Sequence, residues 1–93
     1  MNGANKAPYT LRIERRVVKE VGSFPPKARS QIAARLQDLP RDPRPHDSRT
    51  IEGMANTYRI HSGEYRILYD IDHDSRVITV WRIGHRKDVY RNL

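Results

Sequence analysis

The stretch "YRIHSGEYRILY", residues 58–69, decides how this chain is read. Apolar and polar side chains alternate on both sides of Ser62-Gly63, which is the pattern of two antiparallel strands joined by a tight turn. With Ser62 and Gly63 as the loop, His61 pairs with Glu64, Ile60 with Tyr65, Arg59 with Arg66 and Tyr58 with Ile67. Opposed residues share a face. Tyr58, Ile60, Tyr65, Ile67 and Tyr69 therefore form one surface, apolar enough to be covered, and Arg59, His61, Glu64, Arg66 and Leu68 form the other. This register sets two guanidinium groups directly across from each other, an arrangement that destabilises a sheet. An anion held between them would offset the repulsion, so the pair points to a ligand.

Upstream, "YTLRI" (9–13) alternates as a strand, and Val17, Val18, Val21 and Phe24 then follow helical spacing up to Gly22. A second helix begins at Ser23 or the two prolines, carries Ala28, Ile32, Ala33, Leu36 and Leu39 as its apolar stripe, and stops at Pro40. "RDPRPHDSR" (41–49) is polar and Pro-rich and reads as a surface loop. Strands at about 54–61, 64–72 and 76–84 follow, with Asp72-His73-Asp74-Ser75 as the second turn. The last stretch, "HRKDVYRNL" (85–93), reads as one helical turn or an ordered tail. The order strand–helix–helix–strand–strand–strand predicts an α+β fold: a small antiparallel sheet with both helices on one face. Residues 1–7 are expected to be a flexible tail and 8–93 a single domain.

The second turn extends the register to Ile67 opposite Val80 and Arg66 opposite Trp81. Trp81 then joins the basic face, flanked by Thr79 and Ile83, unless a bulge intervenes. His85, Arg86, Lys87 and Tyr90 come just after the last strand. Such a set suits RNA. Guanidinium groups grip phosphate and stabilise developing charge, histidine passes protons near neutral pH, and Tyr or Trp can stack an unpaired base. The plainer alternative is a solvated face in which Arg59 and Arg66 pair with Glu52, Glu64 or Asp70 and Trp81 belongs to the core.

Composition agrees with an anionic partner. Eighteen Lys and Arg, 14 of them Arg, face 11 Asp and Glu, giving a net charge of +7 and a pI near 10.2. A GC-rich genome would also raise arginine, so position matters more than number. There are no cysteines, hence no disulfide framework or thiolate metal site. The four histidines lack a metal-ligand spacing, and no Gly-x-Ser-x-Gly elbow is present. No apolar run is long enough for a membrane span and the N-terminus lacks a signal-peptide core, so a cytoplasmic protein with no membrane contact is expected.

The segments "EGMANTYRIHSGEYRILYDID" and "VWRIGHRKDVYR", with the strand–helix–helix opening, resemble the RelE/ParE superfamily of toxins from type II toxin–antitoxin systems, and its RelE branch in particular. The resemblance implies a metal-independent, cofactor-free endoribonuclease that cuts mRNA in the ribosomal A site. In that chemistry a 2′-hydroxyl attacks the adjacent phosphate, leaving a cyclic phosphate and a 5′-hydroxyl. Position by position, the family's site falls on Arg59, His61, Arg66, Arg86 and Tyr90. The best-known relatives carry lysines at the two second-strand positions, where this chain has Arg59 and His61. Arginine stays protonated, so His61 or His85, or less readily Glu64, is the expected proton carrier. Arg59, Arg66 and Arg86 hold the phosphate and Tyr90 orients the base. Trp81, Arg82, Lys87 and Arg91 are the further candidate RNA contacts. The resemblance also implies a cognate antitoxin, acidic where it wraps the toxin, and operator DNA contacted only through that complex. Two other functions fit the same fold: a ParE-like DNA gyrase inhibitor, and a non-catalytic nucleic-acid-binding or co-repressor module.

Overall fold

The computed structural model describes residues 7–93; the greater part of the expected tail, residues 1–6, lies outside the described residues. Seven elements follow in order: β1 (Thr10–Ile13), α1 (Arg15–Val21), α2 (Pro26–Asp38), β2 (Arg49–Ile51), β3 (Met54–Ser62), β4 (Tyr65–Asp72) and β5 (Val77–His85). The α+β class and the two helices are as expected. The sheet has one strand more, and it is mixed. Its order is β1-β5-β4-β3-β2, with β1 running parallel to β5.

One side of the sheet meets the helices. Tyr58, Ile60, Ile67, Tyr69, Ile71, Ile78, Val80 and Ile83 form one buried cluster with Val17 of α1, Ile32 of α2 and Leu39 beyond it. The two faces foreseen for the hairpin are therefore correct. In α2, Pro26 occupies the first turn, where its missing N–H costs nothing. Its apolar stripe is narrower than the spacing suggests, because Ala33 is exposed. Val18 of α1 is likewise 56% exposed.

The β3–β4 turn falls one residue later than expected, which offsets every pairing by two. Ser62 faces Tyr65, His61 faces Arg66, Ile60 faces Ile67 and Arg59 faces Leu68. The loop is thus Gly63-Glu64, with Gly63 at φ 58°. Gly63 as the second loop residue of a type I′ turn would force Ser62 to positive φ as well. Moving the turn by one residue confines that conformation to the glycine. Faces are unchanged, since both strands shift together.

The β4–β5 register also departs. Leu68 faces Arg82, Arg66 faces Gly84 and Tyr69 faces Val80, so Trp81 is the extra residue of a bulge. Trp81 remains on the face away from the helices, but Ile83 turns into the core instead of flanking it. The second loop spans residues 73–76 and places Asp72 opposite Val77, so β4 and β5 meet further along than a two-residue turn would allow. Asp72 Oδ1 accepts the amides of Asp74 and Ser75, both at 3.1 Å, which fixes the loop.

The face without helices is only half open. The segment after β5 folds back in tight turns, with the amides of Asp88 and Val89 donating to the His85 carbonyl at 2.8 and 2.9 Å. Val89, 1% exposed, lies on Gly84, where a Cβ would sit 3.5 Å from the Val89 Cβ. Leu68, 0% exposed, and Val89 lie outside the main core cluster, so this face has its own small apolar patch.

Candidate functional site

Arg59 does not face Arg66. It faces Arg49 on one side and Leu68 on the other, and Leu68 faces Arg82. One rung across four strands thus reads Arg49, Arg59, Leu68, Arg82: three guanidinium-bearing residues on one face around a buried leucine. Arg49 donates to the carbonyls of Ser48 at 2.8 Å and His46 at 3.3 Å, and Arg82 to that of Arg91 at 3.3 Å. Arg59 makes no salt bridge among the described residues. The expected opposition of Arg59 and Arg66 is therefore absent; the like-charge pair the sheet does hold is Arg59 with Arg49, in a strand that "RDPRPHDSR" gave no reason to expect.

The next rung toward the hairpin loop holds His61 opposite Arg66, with Gly84 beyond. Arg59 and Arg66 are diagonal neighbours on one face, within reach for long side chains. The Arg66 guanidinium curls onto the loop, donating to the carbonyls of Gly63 at 3.2 Å and Tyr65 at 3.1 Å. Arg86 comes to the same loop from the end of β5: its amide donates to the Glu64 carbonyl at 2.8 Å and its Nε lies 2.9 Å from Glu64 Oε1. That ion pair is more than half exposed on both sides. Pairs of this kind hold weakly, so another anion can take the place of Glu64.

His61 is held from the side. Its Nε2 is 3.3 Å from Asp47 Oδ2, in the loop between α2 and β2. Arg35 Nη2, from α2, donates to Asp47 Oδ1 at 2.7 Å and to Oδ2 at 3.0 Å. Burial raises the Asp47 pKa, but the Arg35 hydrogen bond and charge and the backbone amides of Asp47 and His61 outweigh it, leaving the carboxyl below its ordinary value. Arg35 and Asp47 were not singled out from the sequence. They lie 12 residues apart on a helix and a loop, and no periodicity links them.

The remaining candidates divide. His85 faces Tyr65 on the helix side, its ring 5.7 Å from the tyrosine's at 75°, and its Nδ1 accepts the Lys87 amide at 3.2 Å. It therefore stands apart from Arg59, His61 and Arg66. Trp81 is on the right face but at its far end, its Nε1 donating to Asp70 Oδ1 at 3.0 Å, where Thr57 Oγ1 also donates at 2.7 Å. These residues line a hollow of about 290 Å³ with Glu14, Arg16 and Met54. Tyr90 and Arg91 lie in the turns after Val89; Tyr90 is 44% exposed, and Arg91 pairs with Asp88 at 3.4 Å. Lys87 is exposed. Among the described residues no three His, Cys, Asp or Glu side chains gather as metal ligands, and no helix is long and apolar enough to cross a membrane.

The arrangement is a cationic face, with one imidazole backed by a carboxylate, on a sheet stiffened from behind by two helices. Residues 10–90 match the family described as ParE toxin of type II toxin–antitoxin system, parDE. The chain is 29% identical to Toxin RelG of Mycobacterium tuberculosis, over 90% of this chain and 98% of that protein. Its structure is similar to that of the archaeal RelE–RelB complex from Pyrococcus horikoshii OT3, with a TM-score of 0.77 and 25% identity over 88% of this chain and 99% of that one. It is also similar to the intact E. coli RelBE toxin–antitoxin complex, with a TM-score of 0.71 and 26% identity over 83% and 95% of the two chains. The chain thus belongs to the ParE toxin family of type II toxin–antitoxin systems and is a toxin of the RelE type.

Proposed function

We propose that this toxin is a ribosome-dependent endoribonuclease that cuts mRNA in the A site and so halts translation. The observation carrying this reading is the placement of Arg59, His61 and Arg66 on one face, with Arg86 tethered beside them. A sheet that tolerates Arg49 against Arg59 gives up stability, and a bound phosphodiester returns it. The 2′-hydroxyl of one nucleotide attacks the following phosphate while Arg59, Arg66 and Arg86 balance the charge of the phosphorane-like transition state. His61 is the proton carrier. His85, on the helix side with Nδ1 occupied, is not. Tyr90 stands exposed beside the face as a surface for a base, and Arg82, Lys87 and Arg91 widen the basic field around it. The reaction uses no cofactor or metal, and the protein acts in the cytoplasm.

The antitoxin partner is a RelB-like protein, in keeping with the RelE–RelB and RelBE complexes among the structural neighbours. Its blocking segment is acidic, matched to a +7 toxin by steering. Operator DNA is met only through that complex. Gyrase inhibition is the competing reading, since the matching family carries the ParE name, but it gives no use for the paired guanidiniums and imidazole. Primer extension on mRNA from translating ribosomes separates the readings. Cleavage by the wild type and none by Arg86→Ala is expected. Intact mRNA accompanied by failing DNA supercoiling would overturn the nuclease in favour of gyrase.

A further inference from the structure

We infer that Asp47, gripped by Arg35, is a positioning residue that presents His61 for proton abstraction. The inference rests on the nuclease reading and deepens it. Nε2 is the ring nitrogen beside the carboxylate, 3.3 Å from Asp47 Oδ2; a neutral imidazole that keeps its proton there has its Nδ1 lone pair as the accepting site, and among the described residues no donor takes that nitrogen. The His61 side chain is 54% exposed, so a substrate can reach the ring. The carboxylate behind it is 29% exposed and the Arg35 side chain 33%, so both have given up much of their water. An ion pair so placed is a poor source of stability, and Arg35 Nε is buried without a partner. The fold holds the carboxylate fixed all the same. Arg35 projects from α2, and the loop bearing Asp47 is tied down where Tyr69 Oη donates to the Pro43 carbonyl at 2.7 Å.

The charges around His61 explain the need. Arg66 faces it from β4, and Arg35 and Asp38 of α2 line the same hollow. Asp47 is the carboxylate in contact with the ring. In the reaction the 2′-hydroxyl proton passes to Nδ1 as the O2′–P bond forms. The P–O5′ bond breaks, the 5′-oxygen takes a proton from water, and the hydroxide so formed later removes the proton from the imidazolium, restoring the base. The imidazolium left behind sits between the Arg66 cation and the Asp47 anion, and the anion stabilises it without accepting the proton, as the carboxylate does in hydrolase triads.

The test is single-turnover mRNA cleavage on programmed ribosomes by the wild type, His61→Gln, Asp47→Ala, Asp47→Asn and the His61→Gln/Asp47→Ala pair. His61→Gln should lose about 10²–10⁴-fold in rate, and Asp47→Ala roughly 10–100-fold with ribosome affinity unchanged. Asp47→Asn, whose single acceptor oxygen is claimed by Arg35 and whose amide donors then face Nε2, should be no faster than Asp47→Ala. The double variant should be no slower than His61→Gln alone, because Asp47 acts through the imidazole. Nitrogen-15 spectra of the free protein should show the Nε2–H tautomer at His61, lost in Asp47→Ala. Multiplying losses in the double variant, or full activity of a folded Asp47→Ala, would overturn the role of Asp47 while leaving the nuclease standing. Uncut mRNA with the wild type would remove the nuclease and this role together.

Discussion

Replacing Tyr69 with phenylalanine removes one oxygen from the centre of the fold. Tyr69 is 0% exposed, and its hydroxyl makes a 2.7 Å bond to the Pro43 carbonyl in the loop between α2 and β2. Phenylalanine fills the same space, so no cavity forms, and the loss is the hydrogen bond plus a carbonyl left short of a donor, about 1–2 kcal/mol. For a domain of this size that lowers the melting midpoint by roughly 5–10 °C at pH 7. The pH dependence makes the test sharper. Burial first, and then the nearby Asp47 charge, push the Tyr69 pKa well above the ordinary tyrosine value of 10.0. The folded state keeps a proton that the unfolded chain releases above about pH 10. The stability this group contributes is therefore fully present below pH 10 and declines as pH rises beyond it. By pH 11 the wild type should have lost about 1.4 kcal/mol relative to the variant, closing most of the gap. Urea melts of both proteins at pH 7, 9, 10 and 11 measure this directly, since the other tyrosines cancel in the difference. Parallel curves across that range would refute the buried, bonded hydroxyl.

Three further expectations concern the face and its supports. Arg59→Ala should stabilise the fold by a few tenths of a kcal/mol, at most about 1, by relieving its juxtaposition with Arg49, while lowering cleavage; urea melts and primer extension together check this. Gly84→Ala should be tolerated, because the added Cβ meets Val89 at 3.5 Å, an ordinary contact, whereas Gly84→Leu should cost about 1–3 kcal/mol and speed hydrogen exchange at the Val89 amide. Asp47→Asn should weaken the fold at neutral pH. Because the Asp47 pKa is depressed in the folded state, its contribution is present above the ordinary value of 3.8 and is lost as pH falls below it, so wild-type and Asp47→Asn stabilities should converge in acid melts.

The hairpin was legible because alternation survives errors of register. Tyr58, Ile60, Ile67 and Tyr69 are buried wherever the turn falls, and Arg59, His61 and Arg66 share the other face for the same reason. Which residues meet was not legible, because that depends on Gly63 taking the positive φ alone and on one extra residue, Trp81, inside β5. His85 looked like a partner of Arg86 by proximity in sequence, yet the bulge before it sends it to the side of Tyr65. Two strand placements had no local signal. The three residues of β2 follow a Pro-rich loop, and β1 joins β5 in parallel across more than 60 positions, a pairing no turn announces. The carboxylate behind His61 was hidden for a similar reason, since Arg35 and Asp47 meet only once α2 is packed.

The parallel joint between β1 and β5 bears on the order in which this fold forms. Thr10–Ile13 finds its partner in Val77–Val80, so that edge closes only when segments more than 60 residues apart come together. Closing so long a loop costs entropy before any contact repays it, whereas the β3–β4 and β4–β5 pairings are local. The meander bearing Arg59, His61 and Arg66 is thus expected to pair early, and the β1 edge to close last.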